Sequence, residues 1–135
     1  MLPSPKTYRD LVVWQQALAL VTELYEVTKA FPREEIWGLS SQLRRNAVSI
    51  PSNIAEGFAR RSKDDYGRFL LIATGSLYEM QTQLDIAQNL GYLPPERFTA
   101  LFSSTRAIEA MLAKLIQRVA ASTANPRAGQ TLRRS

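Results

Sequence analysis

The residues best placed to do chemistry are six cations in one stretch of the chain: Arg44, Arg45, Arg60, Arg61, Lys63 and Arg68. Only Glu56, Asp64 and Asp65 oppose them there. Grouped guanidinium and ammonium groups neutralise backbone phosphates and release their counterions, so the cluster points to an RNA or DNA contact. Arg60, Arg61 and Lys63 fall where two helical segments meet and are expected to converge on one end of the molecule. Their other reading is plainer: cations there complement a helix C-terminal dipole and solvate a loop. After Val119 the sequence reads AASTANPRAGQTLRRS, which adds Arg127, Arg133 and Arg134 with no acid.

Catalytic chemistry has little to work with. The chain has no cysteine and no histidine, which removes disulfides, thiolate nucleophiles, His-dependent triads, Cys/His zinc sites and Glu-x-x-His di-iron centres. Neither a P-loop nor a dinucleotide fingerprint is present. Glu34-Glu35 and Asp64-Asp65 fit helix N-termini, where acids favour the dipole. Glu56 and Glu79 are mid-bundle carboxylates that suit salt bridges, to Arg44 for instance, better than acid/base work, because no nucleophile or oxyanion site accompanies them. The expectation is a protein that is not an enzyme and needs no cofactor or metal.

The elements that position these residues follow from apolar periodicity. Four segments repeat by threes and fours. The first carries Leu11, Trp14, Leu18, Val21, Tyr25 and Thr28, expected as a core stripe, and stops at Phe31-Pro32. Thr7 with Asp10, or Asp10 alone, is expected to cap it. The second carries Ile36, Leu39, Leu43, Ala47, Ile50, Ile54 and Phe58, with Pro51 inside, where a kink is expected. The third opens at Ser62 with a capping-box-like start and runs Tyr66, Phe69, Ala73, Leu77, Met80, Leu84, Ala87 to a stop at Gly91. The fourth follows Pro94-Pro95 with Phe98, Leu101, Thr105, Ile108, Leu112, Leu115 and Val119. Short links force antiparallel neighbours, so the expected fold is all-α, an up-down-up-down antiparallel four-helix bundle over residues 1–119 with a flexible basic tail over 120–135.

The first segment is more apolar than one core stripe requires. Val13, Ala17, Leu20, Leu24 and Val27 lie on an adjoining arc, and Val13, Leu20 and Val27 are read as a second packing surface for an oligomer. The second segment carries a polar set beside its stripe, Gln42, Asn46, Ser49, Asn53 and Glu56. These residues either bond neighbouring helices or subunits, with Pro51 as a further structural determinant, or line a ligand site; the structural reading is preferred.

The chain is 135 residues long, with 17 basic and 12 acidic residues and a net charge of +5. Without the three tail arginines the body holds 14 basic and 12 acidic groups, so a nucleic-acid footprint must come from local clustering or from the tail. At 45% hydrophobic and 21% charged residues the composition is that of a globular domain. No apolar run spans a bilayer and no secretory h-region is present, so a cytoplasmic protein without a membrane partner is expected.

Several runs together are familiar: Asp10 to Gln15 (DLVVWQ), Phe31-Pro32 with Glu34-Glu35, Leu39 to Arg45 (LSSQLRR), Ser49 to Gly57 (SIPSNIAEG) and Gly75 to Glu79 (GSLYE). Over about residues 8 to 119 they resemble the four-helix-bundle family encoded in intervening sequences of bacterial large-subunit ribosomal RNA genes. The resemblance implies a small bundle that assembles with itself into a ring, a pentamer. A related branch, the accessory variability proteins of diversity-generating retroelements, is basic, partners a reverse transcriptase and binds nucleic acid. The near-neutral body departs from that basic character, and no family catalytic residues exist to carry over. The leading reading is therefore a non-enzymatic homo-oligomer that binds nucleic acid through phosphate contacts, as an RNA-associated or reverse-transcriptase accessory protein. The alternative is an oligomeric protein-interaction scaffold.

Overall fold

The structure, a computed structural model, describes residues 4–122. Within them lie four α-helices: α1 (Val12–Thr28), α2 (Leu39–Phe58), α3 (Lys63–Asn89) and α4 (Pro95–Ala121). Two single 3-10 turns, Tyr8–Asp10 and Arg33–Glu35, precede α1 and α2, and no strand occurs among the described residues. Side-chain contacts fix the directions. The start of α2 meets the end of α1 through Arg44 and Thr28, Gln42 at the start of α2 meets Gln83 late in α3, and Lys63 opening α3 meets the last turn of α4. Each helix therefore runs antiparallel to the one before it, and α1 also packs on α4, closing an up-down-up-down four-helix bundle.

The ends follow local chemistry. Ser62 Oγ accepts from Asp65 N at 3.1 Å and starts α3; Gly91, at φ 77°, turns the chain after it; Pro95 occupies the first position of α4, where its missing N–H is harmless. At the N-terminus the expected cap belongs to a different element. Thr7 Oγ1 accepts from Arg9 N at 3.1 Å, and Asp10 Oδ2 accepts from Lys6 N at 2.8 Å and Thr7 N at 3.2 Å. These bonds close the 3-10 turn, whereas α1 begins at Val12 with no side-chain cap. The two backbone donors hold the Asp10 carboxyl below its ordinary value.

The core of α1 is not the stripe expected. Val13, Ala17, Leu20, Leu24 and Val27 are buried, whereas Leu18 and Tyr25 are exposed and Trp14 and Val21 only half-buried. Val13, Leu20 and Val27 therefore pack inside the protomer and offer nothing to a second copy. The physical reason is size: this arc puts Ala17 at the helix contact and leaves no ring in the interior, so α1 sits close to its neighbours, while the bulky Trp14 and Tyr25 stay at the rim. Ile36 also leaves the core, because α2 begins at Leu39 and Ile36 is half exposed in the link before it. The other expected core residues of α2, α3 and α4 are buried, apart from half-buried Leu39, Phe69 and Phe98.

Helix α2 runs unbroken through Pro51, which is buried. A tight helix approach lies six residues further on, at Gly57. A Cβ added at Gly57 would stand 2.9 Å from Phe69 Cβ and 3.2 Å from both Tyr66 Cδ1 and the Tyr66 carbonyl. Only a residue without Cβ lets α2 and α3 meet there.

Gly57→Ala is expected to lower unfolding stability by about 1–3 kcal/mol, read as a lower urea midpoint at unchanged m-value. Gly67→Ala, in α3 where a Cβ meets nothing within 4 Å, should instead raise it by about 0.5–1 kcal/mol.

Candidate nucleic-acid interface

The polar set of α2 is mostly a zip onto α3. Gln83, buried in α3, donates Nε2 to Gln42 Oε1 at 3.1 Å and accepts from Asn46 Nδ2 at 3.0 Å. Ser49 and Ser76 share a hydroxyl bond of 2.8 Å. Asn53 turns back onto its own helix, donating to the Ser49 carbonyl and hydroxyl at 2.8 and 2.9 Å. Glu56 is exposed and pairs with Arg60 at 3.2 Å. Four of the five thus spend their polar groups inside the protomer, and Glu56 pairs with Arg60, just past the end of α2, instead of with Arg44. Glu79 is exposed, and neither carboxylate lines either of the two cavities described below.

The six cations divide between the two ends of the bundle, about 24 Å apart along α2 at 1.5 Å per residue. At the α2–α3 corner, Arg60 and Arg68 both lie over the Phe69 ring, with guanidinium carbons 4.6 and 4.8 Å from its centroid. Arg68 also approaches Asp65 at 3.7 Å. Lys63 donates Nζ to the carbonyls of Ala120 (3.4 Å) and Ser122 (3.0 Å), capping α4. The dipole reading thus applies to Lys63, although the helix it complements is α4 rather than α2. Arg61 is exposed and makes no hydrogen bond or ion pair among the described residues. Three of these four cations are committed to structure. The expected tail with Arg127, Arg133 and Arg134 joins the chain at this end but lies outside the described residues.

Arg44 and Arg45 belong to a second place that the sequence reading did not assemble. A groove of about 650 Å³ opens where α1 ends and α2 begins. Lys29, Arg33, Arg44 and Arg45 line it together with Tyr25, Phe31, Ile36 and Trp37, and no carboxylate does. Arg44 is held in place: its Nε donates to Thr28 Oγ1 at 2.8 Å, a terminal nitrogen reaches the Tyr25 carbonyl at 3.4 Å, and the guanidinium lies 4.6 Å from the Tyr25 ring centroid. Arg45 touches only Ser41, at 3.5 Å. Arg33 is exposed, and its side chain has no partner among the described residues. Trp37 is 91% exposed.

The link that carries Trp37 is pinned. Glu35 accepts from Leu39 N at 2.9 Å through Oε1 and from Tyr92 Oη at 2.9 Å through Oε2, which ties the α1–α2 link to the α3–α4 link. Acid at this helix start was expected; its second bond, across to Tyr92, was not. A Cβ at Gly38 would stand 2.8 Å from Glu35 Oε1, so a larger residue there would push the capping carboxylate aside. The Phe31 and Tyr92 rings, with centroids 5.4 Å apart, pack beneath.

A smaller cavity of about 290 Å³ runs along the outer side of α1 and α2, lined by Tyr8, Trp14, Leu18, Val21, Val48, Pro51, Ser52 and Ala55. Pro51 therefore stands in the wall of this apolar trough. Among the described residues no helix is long and apolar enough to cross a membrane, and no group of three or more His, Cys, Asp or Glu side chains is placed to hold a metal ion.

Residues 9–114 match the family model described as 23S rRNA-intervening sequence protein. Among solved structures, a protein of unknown function from the S23 ribosomal protein family of Bacteroides thetaiotaomicron VPI-5482 is similar, with a TM-score of 0.73 and 21% identity. The likeness covers 78% of this chain and 96% of that one, and at this identity it bears on the fold alone. No curated protein matches.

The Glu35–Tyr92 contact gives an alkaline signature. Hydrogen bonding to Glu35 pushes the Tyr92 phenol above its ordinary value of 10.0, and Glu109 does the same to Tyr78. A raised folded value means that the stabilisation is complete below the ordinary value and is lost as pH rises through the folded one. Spectrophotometric titration should show Tyr78 and Tyr92 ionising late. Tyr92→Phe should reduce the late-ionising fraction by one phenol; an unchanged late fraction would show that the contact is not made.

Proposed function

Because the chain belongs to the 23S rRNA-intervening sequence protein family, we propose that it is a non-enzymatic, self-assembling bundle that binds nucleic acid through phosphate contacts. The observation that supports this best is the groove between α1 and α2, lined by four cations and no carboxylate. Phosphates are the ligand such a lining suits, because each neutralised phosphate releases counterions. Arg61, exposed at the far corner without a partner among the described residues, supplies a secondary contact. Arg44, tethered by two hydrogen bonds, keeps further N–H donors of its five for a phosphate.

Self-assembly is supported by apolar surface left on two sides of the bundle. One patch is the trough with Trp14, Leu18 and Val48 on α1 and α2. The other is on α3, where Leu71, Ile72 and Tyr78 are exposed and Tyr78 bonds Glu109 of α4 at 3.2 Å. Two unlike patches on different helix pairs are what a head-to-tail ring consumes, each subunit offering one to the next. A ring also multiplies a modest site by the subunit number, so a weak groove becomes an effective one through avidity. Five subunits is the expected number.

Labelled RNA and DNA titrated at two salt concentrations should bind with an affinity that falls steeply as salt rises. Arg33→Glu with Arg45→Glu is expected to weaken binding at least about tenfold and to reduce the salt slope by about one to two. Absence of binding at low salt by an intact oligomer would favour the scaffold reading. Leu18→Glu should lower the solution mass to that of a smaller species by light scattering while helix content is kept; an unchanged mass would remove the α1–α2 trough from the interface.

A further inference from the structure

Trp37 is the most exposed large apolar side chain described, at 91%, and it makes no hydrogen bond or ring contact among the described residues. Half-exposed Ile36 stands beside it. An indole left in water forfeits a large burial gain, and nothing in the local chain explains the placement. The link does not wander, because Glu35 caps α2, bonds Tyr92 and fills the space a Cβ at Gly38 would need. A rigid turn therefore holds an unpartnered ring at the mouth of a groove lined by Lys29, Arg33, Arg44 and Arg45.

We infer that this groove holds an unpaired nucleotide of a single-stranded nucleic acid, with its base stacked on Trp37 and the adjoining phosphates on Arg33, Arg44 and Arg45. The inference rests on the phosphate-binding reading above and adds what that reading lacks, a reason to prefer one form of nucleic acid. Cations alone do not separate single strands from duplexes, since both present phosphates. An exposed aromatic face does, because in a duplex every base is already stacked and paired, whereas a single strand offers its bases to a ring. The groove is in the size range of small-ligand pockets. Arg44 is preorganised by Tyr25 and Thr28, so seating a phosphate costs it little further ordering. Occupancy by a second copy of this chain is disfavoured by the charge, because that copy would have to bring carboxylates to face four cations.

The test compares the intact oligomer with its Trp37→Ala, Trp37→Phe and Arg33→Glu/Arg45→Glu variants. The probe is a single-stranded adenylate RNA of about a dozen nucleotides, a length within the usual footprint of such sites, alone and annealed to its complement, with the solution mass measured in the same buffer. Trp37→Ala should weaken single-strand binding about 5- to 150-fold and leave duplex binding within about twofold, while Trp37→Phe keeps most of the affinity. In a Trp14→Phe background, where Trp37 is the remaining tryptophan, its emission should be quenched by the single strand and not by the duplex. Unchanged single-strand affinity in Trp37→Ala, with the arginine variant still impaired, would overturn the stacking inference and leave the phosphate reading standing. Failure of the unaltered protein to bind either form would remove both. A fall in mass on Trp37→Ala would assign the groove to a contact between copies and overturn the inference.

Discussion

The close approach of α2 and α3 is the constraint on which the rest of the molecule depends. At one end Gly57 lets the Tyr66 backbone and the Phe69 Cβ come within reach of α2; at the other Gln83 bonds both Gln42 and Asn46; Ser49 and Ser76 join them between. Apolar packing alone tolerates sliding by a helical turn, but a buried amide that must meet two partners does not, because any shift leaves donors and acceptors unpaired. The ladder therefore fixes the register of α2 on α3. With that register set, Arg60 and Arg68 both reach the Phe69 ring, and the start of α2 is presented to the end of α1, where the groove forms.

The all-α fold, the helix order and most of α2, α3 and α4 were legible in the sequence because periodicity and end signals agreed there. Ser62, Gly91 and Pro94-Pro95 mark ends that the structure keeps. In α1 two apolar arcs have the same spacing, and periodicity cannot rank them. What separates them is shape. The arc with Ala17 at its middle, and only Val and Leu beside it, fits a tight interior, while the arc with Trp14 and Tyr25 carries polar ring atoms that are satisfied more easily at the rim. The expected oligomer face was therefore assigned to the buried side of the helix, and the large apolar residues of α1 left exposed are Val12, Leu18 and Tyr25, with Trp14 and Val21 half-buried.

The candidate site was legible only in part, because cations look alike in a sequence. Arg44 and Arg45 are adjacent, yet Arg44 is fastened to α1 while Arg45 touches a single hydroxyl. Lys63, which reads as a phosphate ligand, is a helix cap. No spacing rule distinguishes these, since each partner lies on another element. Trp37 did carry a signal. A tryptophan followed at once by glycine, just ahead of a helix, sits where the chain is turning rather than where a stripe is being packed. Starting the α2 stripe at Ile36 hid it.

A body with almost no net charge is compatible with a specific anion site, and the arrangement here shows how. Surface ion pairs such as Glu56–Arg60 and Lys29–Glu26 are weak in water, of order 0–1 kcal/mol, so a nearby phosphate exchanges for the carboxylate at small cost. What matters is where carboxylates are missing. Of the acids of the α1–α2 link, Glu35 is used for structure: it is turned to Leu39 and Tyr92, which takes its charge away from the groove lining. The same two bonds hold Trp37 outward. One glutamate thus caps a helix, joins two links and leaves Arg33, Arg44 and Arg45 without a carboxylate partner among the described residues, so this part of the positive groove is a consequence of how α2 is started.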